Sequence, residues 1–385
     1  MQNEQMFQTT PRIIMGAGTI SKIVTEINQL RCKKAMIVTD PGLVKAGIMK
    51  KLEDILTDGN IAFTTFDQVE PDPRLEIAIS ASVLVQESGT DIIIGLGGGS
   101  SIDIAKIASI LATNKGDLSS YLGVDLIPEP GLKTIIVPTT AGTGSEVTPI
   151  VILSDVDEKL KKGAVSPFLF PDVAILDPAL TVGLPPQVTA ATGMDALIHA
   201  VEAFTSINAT SITDMLAEQA IKLISQNLRT AYSNGNDLEV RYKMLEGSML
   251  AGMAFANAGV TAVHAFAYPI GAEFHIPHGI ANSIMLIPVM KFNMMGNLNK
   301  FSRMATFFQV NTAGLNQREA AMLTIKAMQE LSDDLQLPKN LSDYGVKEAD
   351  IPLLAEGVMK VTRLLANNPR ILTQKDAEAI YRQVL

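Results

Sequence analysis

Tryptophan is absent from this 385-residue chain, cysteine occurs once and histidine four times. The lone Cys32 excludes an intrachain disulfide framework and fits a reducing, cytoplasmic compartment. Basic residues are the minority charge, leaving a net charge of −9, so no basic face for nucleic acid is expected. The opening MQNEQMFQTTPRIIM has no basic segment leading into an apolar core and does not read as a secretion signal. Charge is missing altogether from Gly247 to Ala272, a stretch long enough to span a bilayer. Asn257, His264 and Pro269 interrupt it, small residues dominate it and no basic cluster flanks it. A buried pair of core helices is therefore expected there, and no membrane partner.

What is present is ample apolar material, 47% of residues, in a chain too long for one typical core. The first half alternates short β-like runs with helical ones. KKAMIVTD (33–40), IAFTTF (61–66), DIIIGL (91–96), KTIIVPTT (133–140) and DVAILDP (172–178) read as strands, with a helix from Leu43 and another over 75–89. This alternation predicts a Rossmann-like parallel sheet covered on both faces. Strand signals stop near Leu184, and the rest reads as helix, closing with Thr373 three residues before Asp376 as a capping box. The expected organisation is an α/β domain over 1–184 and an all-helical domain over 185–385.

Two glycine-rich stretches could cradle a phosphate. GAGTIS (16–21) lacks the third glycine of the dinucleotide fingerprint and reads as a tight turn. GLGGGSSIDIAK is stronger, because Gly97, Gly98 and Gly99 follow a strand and open a helix. Glycines there let backbone approach a pyrophosphate that the helix N-terminus stabilises, and Ser100 or Ser101 can cap or donate. PTTAGTGSEVT (138–148) suits the far wall of the same crevice. Asp40 ends the first strong strand, where a carboxylate accepts from a ribose 2′-hydroxyl and repels a 2′-phosphate, favouring NAD over NADP. Its alternative role is to cap the turn at Pro41-Gly42.

The histidines carry the second signal. In GMDALIHAVEA, Asp195 and His199 stand four apart on one helical face, a ligand-pair spacing. His264, His275 and His278 share HAFAYPIGAEFHIPHG; Pro277 disfavours helix at Ile276, so His275 and His278 are expected on a turn after the His264 helix. Burying imidazoles without partners is costly, and one divalent cation supplies a partner to several. Aspartate with three imidazoles and no thiolate suits Fe²⁺ or Zn²⁺.

GGGSSID, PTTAGTGSEVT, TAATGMDALIHAVEA, HAFAYPIGAEFHIPHGIAN and NNPRILTQKDAEAIYR, in this order, resemble the iron-containing (group III) alcohol dehydrogenase family almost end to end. The resemblance implies an N-terminal α/β domain and a helical C-terminal domain, the architecture shared with the dehydroquinate synthases. It implies iron, NAD(P) and metal ligands at Asp195, His199, His264 and His278. Cofactor contacts carry over onto Gly97, Gly98, Gly99, Ser100, Thr139, Thr140, Thr143 and Thr148, with Lys161 (or the adjacent Lys162) near the nicotinamide ribose. The chain departs from the family at Tyr268, where many members have a second histidine, and at His275, where they often have Asn or Asp.

The expected activity is metal-assisted hydride transfer between NAD(H) and a small primary alcohol or aldehyde, the ion acting as Lewis acid on the substrate oxygen. The nicotinamide is expected in a cleft between the domains. His275 is the expected proton relay, Tyr268 a shaper of the pocket and Phe255 a candidate lining residue. The enzyme is expected as a cytoplasmic homodimer. Two rivals stand beside it, a same-fold lyase resembling dehydroquinate synthase and a non-catalytic nucleotide or metal sensor. The lyase calls for a basic phosphate pocket, which the helical half does not offer.

Overall fold

The computed structural model describes residues 4–156 and 160–385. The chain divides into two compact units, one of residues 9–183 and one of 184–385 joined by the described residues before Thr9.

The first unit is built on β1 (Ile13–Met15), β2 (Lys34–Val38), β3 (Ala62–Phe66), β4 (Ile92–Gly97), β5 (Gly123–Val124), β6 (Lys133–Pro138), β7 (Ile150–Asp155), β8 (Leu160–Val165) and β9 (Val173–Leu176). Six of them form an all-parallel sheet in the order β1-β9-β6-β4-β2-β3. Every strand read from the sequence is in it, within a few residues at each end. The side chains alternate as pleating requires. Met36, Val38, Ile93 and Ile136 enter one core layer with Ala78, Ala81 and Val85, whereas Ala35, Ile37, Ile92, Ile94 and Ile135 enter the other with Ile23, Ile27 and Leu52. Both faces are covered, which explains runs such as Ile92–Ile94 with no polar position. The helices flanking the crevice end of this sheet are α1 (Pro41–Lys45), α2 (Leu75–Ser88) and α3 (Gly99–Thr113). The strand order reverses between β2 and β4, so the loops after these two strands flank a topological switch point, where ligands of open α/β sheets bind.

A second sheet was not foreseen. β7 and β8 pair antiparallel over Ile150–Asp155 and Leu160–Val165, with β5 alongside β8. Strand β8 mixes charge and glycine (LKKGAV) and lacks the apolar run that marks the others, whereas β7 (IVILSD) carries such a run directly after the 138–148 loop. GAGTIS is a tight turn, as expected; its Gly18 and Ile20 amides donate to the Asp177 carboxylate at 3.0 and 3.3 Å.

The second unit is helical, comprising α4 (Pro186–Thr205), α5 (Ser211–Ser233), α6 (Leu238–Ala258), α7 (Ala262–Phe274) and α8 (His278–Asn293), followed by further helices up to Gln374–Tyr381. The last begins with the Thr373–Asp376 capping box. The charge-free stretch forms the end of α6 and most of α7, which meet at a 101° bend. Among the described residues no single helix is long and apolar enough to cross a membrane. Ala251, Ala254, Val263, Phe266 and Ala267 from the pair are buried. After α7 the structure departs from expectation. His275 does close that helix in the left-handed conformation (φ 54°), but His278 does not sit on the turn; it opens α8 directly after Pro277. Proline's fixed φ and missing N–H suit the entry to a new helix as well as the end of an old one.

Candidate functional site

In the first unit, β4 ends at Gly97, whose φ of +152° and 2.6 Å approach of a would-be Cβ to Ser101 Oγ leave room for glycine alone. The following α3 has no side-chain cap, so neither Ser100 nor Ser101 caps it and the N–H groups of its first turn stay available to an anion. Gly98, Gly99, Ser100, Thr140 and Thr143 are half-buried around this turn. Thr139 and Thr148 are buried, the Thr139 amide donating to Gly97 O at 3.0 Å. Asp40, across the switch point, caps α1 by accepting from the Gly42 and Leu43 amides at 2.8 and 3.2 Å. Both bonds use Oδ1. Lys161 reaches Asp72 instead.

The 139–150 loop is held by a lysine that carries no motif of its own. Lys106 on α3 is buried, and its ammonium donates to the carbonyls of Ser145, Thr148 and Ile150 at 3.0, 2.9 and 2.7 Å and to Ser145 Oγ at 3.1 Å. One turn earlier, Asp103 accepts from Ser145 Oγ at 2.6 Å and from the Ile152 amide at 2.9 Å. Burial lowers Lys106 to about 8, against the pull of Asp103 and Glu146. Burial also raises Asp103, despite Lys106, and Glu146 to about 7. The sequence signal is that Asp103 and Lys106 are the two charges of this helix, set three apart.

In the second unit three helices converge on one buried cluster. α4 projects Asp195 and His199 from successive turns, α7 brings His264 and the start of α8 brings His278. The ligand atoms of Asp195, His199 and His264 lie within 4.8 Å of one another. His278 Nε2 is 3.9 Å from Asp195 Oδ1, and His264 Nε2 is 3.8 Å from it. Residue 279 must be glycine for α8 to enter so close to α4, because a Cβ there would lie 2.5 Å from Ala191 O. The His199 ring stacks on His264 at 4.7 Å between centroids and on Phe255 at 4.3 Å. Phe255 thus packs directly against a site imidazole. Burial would raise the Asp195 carboxyl, but His199, His278 and His264, with the Asn282 amide at 2.7 Å, hold it below the usual range.

Two polar partners here were not anticipated. The first is Asn282, which also lies 3.2 Å from His278 Nε2. The second is Glu202, fully buried on α4 and bonded to His264 Nδ1. Burial would raise Glu202, yet His264, Thr261 and the Val263 amide hold it down, while Glu202 and Asp195 raise His264 in spite of its own burial. His264 Nε2 is buried with no hydrogen-bond partner among the described residues. A buried imidazole nitrogen left unpaired beside a carboxylate and two more imidazoles fits a divalent cation.

The expected proton relay His275 and the expected pocket residue Tyr268 differ in exposure. Tyr268, one turn along α7 from His264, is half-buried with its ring 6.2 Å from that of His278. His275 is exposed at the end of α7.

Comparison with known proteins agrees with this arrangement. Residues 10–178 match the family model "Iron-containing alcohol dehydrogenase", and residues 189–385 match "Fe-containing alcohol dehydrogenase family, C-terminal". The chain is 42% identical over 370 residues to a 1,3-propanediol dehydrogenase of Citrobacter freundii, covering 96% of this chain and 95% of that one. The crystal structure of a 1,3-propanediol oxidoreductase superposes with a TM-score of 0.97 at 39% identity over the whole of both chains. A sulfoacetaldehyde reductase from Bifidobacterium kashiwanohense, solved in complex with NAD⁺, superposes with a TM-score of 0.90 at 28% identity, covering 100% of this chain and 99% of that one. With both halves matched by family models and a full-length relative above 40% identity, the chain belongs to the iron-containing alcohol dehydrogenase family and is a metal-dependent alcohol oxidoreductase.

Proposed function

We propose that the protein transfers hydride between NAD(H) and a small primary alcohol or aldehyde, with Fe²⁺, or Zn²⁺ in its place, held by Asp195, His199, His264 and His278. The observation that carries the metal assignment is the buried, unpartnered His264 Nε2 facing Asp195 at 3.8 Å. When bound, the cation would supply Lewis acidity toward a substrate oxygen.

The chain's own residues do the rest. Gly97, Gly98 and Gly99 clear backbone for the pyrophosphate, and the uncapped first turn of α3 offers it amide hydrogens. Thr139, Thr140, Thr143 and Thr148 shape the loop opposite, held by the Lys106 ammonium, and Lys161 is proposed toward the nicotinamide ribose. Asp40 is proposed to read the adenosine ribose, since Oδ1 serves the α1 cap and Oδ2 accepts no hydrogen bond among the described residues. The unit of residues 9–183 is thus assigned the dinucleotide, and the unit of residues 184–385 the metal and substrate. Phe255 is proposed to line the substrate pocket beside His199. For the hydroxyl proton, His275 is the imidazole outside the ligand set, with Tyr268 shaping the pocket. The relatives named for 1,3-propanediol, sulfoacetaldehyde and long-chain alcohols support an alcohol or aldehyde substrate. A cytoplasmic homodimer is proposed, the buried thiol of Cys32 being compatible with a reducing compartment.

The test is turnover on ethanol, propanol, 1,3-propanediol and lactaldehyde with NAD(H), after reloading metal-free protein with Fe²⁺ or Zn²⁺. Metal-dependent appearance or loss of NADH is expected. Dinucleotide and metal binding without turnover on any alcohol or aldehyde would overturn the assignment.

A further inference from the structure

Glu202 sits at the centre of a buried construction that extends beyond the ligands. One oxygen, Oε1, accepts from Thr261 Oγ1 at 2.6 Å and from the Val263 amide at 2.7 Å; the other, Oε2, accepts from His264 Nδ1. Thr261, at the start of α7, provides no side-chain cap. A carboxylate from α4 therefore caps α7, where the helix dipole favours negative charge. The bend before α7 is held from other directions too. Asn368 Oδ1 accepts from the Ala262 amide at 3.3 Å, Asn367 Nδ2 donates to Val260 O at 2.9 Å and Ser206 Oγ donates to Ala258 O at 2.6 Å. Glu202 is the one side chain among these that also touches the imidazole.

We infer that Glu202 is a positioning residue for the cation: it fixes both the start of α7 and the Nδ1–H form of His264, so that Nε2 presents its lone pair toward Asp195. The inference rests on the metal reading proposed above. A carboxylate has only acceptors to offer, so the proton between it and the ring is held on Nδ1. A carboxamide cannot do the same work. If its oxygen faces His264, its NH₂ opposes the Val263 N–H. If its NH₂ faces His264, the ring proton moves to Nε2 and blocks the cation.

Four histidines in the chain make a ¹⁵N-histidine spectrum tractable, and Zn²⁺ is a diamagnetic probe. The Zn²⁺-loaded wild type should show His264 protonated at Nδ1. By chelator competition, Glu202→Gln should bind Zn²⁺ about 10- to 100-fold more weakly. Glu202→Asp should recover part of that loss. Thr261→Val, which removes a donor to Oε1 and leaves the ring contact, should stay near wild type. Wild-type Zn²⁺ affinity in Glu202→Gln, or equal weakening in Thr261→Val, would overturn the inference. If Glu202→Gln does not fold, the spectrum of the metal-free wild type decides, since a neutral His264 ring protonated at Nε2 refutes the inference and one protonated at Nδ1 supports it. His264→Ala separates the two readings. Unchanged Zn²⁺ binding in that variant sinks the metal site itself, whereas loss there beside an unaffected Glu202→Gln sinks only the role of Glu202.

Discussion

Lys106→Met tests whether a buried ammonium holds the loop of residues 139–150. Methionine keeps the length of the apolar stem, so the change isolates the charge and its four hydrogen bonds. It removes the positive charge that favours the half-buried Asp103 carboxylate and strips the carbonyls of Ser145, Thr148 and Ile150 of their donor. Leaving three carbonyls without their charged donor costs about 1–3 kcal/mol for each that stays buried, so a loss of roughly 3–5 kcal/mol is expected. For a unit of this size that is a drop in Tm of roughly 6–20 °C. The chain has no tryptophan, so far-UV circular dichroism during urea and thermal unfolding is the natural readout. A pH signature accompanies the loss. Lys106 titrates at about 8 in the fold against 10.5 ordinarily, so between those values the unfolded chain binds the extra proton. Wild-type stability should therefore rise with pH across that window, and the rise should vanish in Lys106→Met. Adding Asp103→Asn should restore part of the stability, because no carboxylate is then left without the favourable charge of Lys106. A loss under about 1 kcal/mol, or strict additivity in the double variant, would show that the pair does not pin the loop.

Glu146 is pushed by burial from 4.5 to about 7, so between these values the folded chain holds a proton that the unfolded chain has lost. Wild-type stability should fall as pH rises across that window, and Glu146→Gln, lacking the slope, should be more stable at pH 8 by about 1–3 kcal/mol; an unchanged pH profile in melting experiments would contradict this. Asp40→Gly should raise kcat/KM for NADPH relative to NADH at a cost of a few tenths of a kcal/mol in capping, and a wild type that already uses NADPH equally well would remove Asp40 from cofactor choice. His275→Gly relieves a left-handed residue and should not destabilise the fold. If His275 relays the proton, both His275→Gly and His275→Ala should alter the kcat–pH profile, whereas an unaltered profile, with loss in Tyr268→Phe alone, would move the role to the phenol.

How far the chain could be read without its structure differs from element to element. The strands β2, β4, β6 and β9 are continuous apolar runs because a parallel sheet is buried on both faces, so the signal is local and strong. Strand β8 is not, since Lys161, Lys162 and Gly163 break the pattern, and without it the apolar IVIL of β7 has no visible partner. Asp195 and His199 share a face because four residues span about one helical turn, a fact of backbone geometry that needs no tertiary contact. His264, His275 and His278 stood out together by rarity in a chain with four histidines, and the family resemblance singled out His264 and His278 as ligands. Sequence alone therefore determined the two-part architecture, the glycine turn and the identity of the clustered imidazoles.

Which buried atoms satisfy one another was decided only by the fold. Glu202 lies 62 residues from His264, and Lys106 lies 39 from Ser145. Asn282 reaches Asp195 across 87 residues. Side-chain periodicity says which face of a helix is buried, but not which other helix covers it or at what crossing. A glutamate on a buried face is legible as an anomaly; its partner is set by how α4, α7 and α8 pack, and the tautomer of His264 follows from that packing.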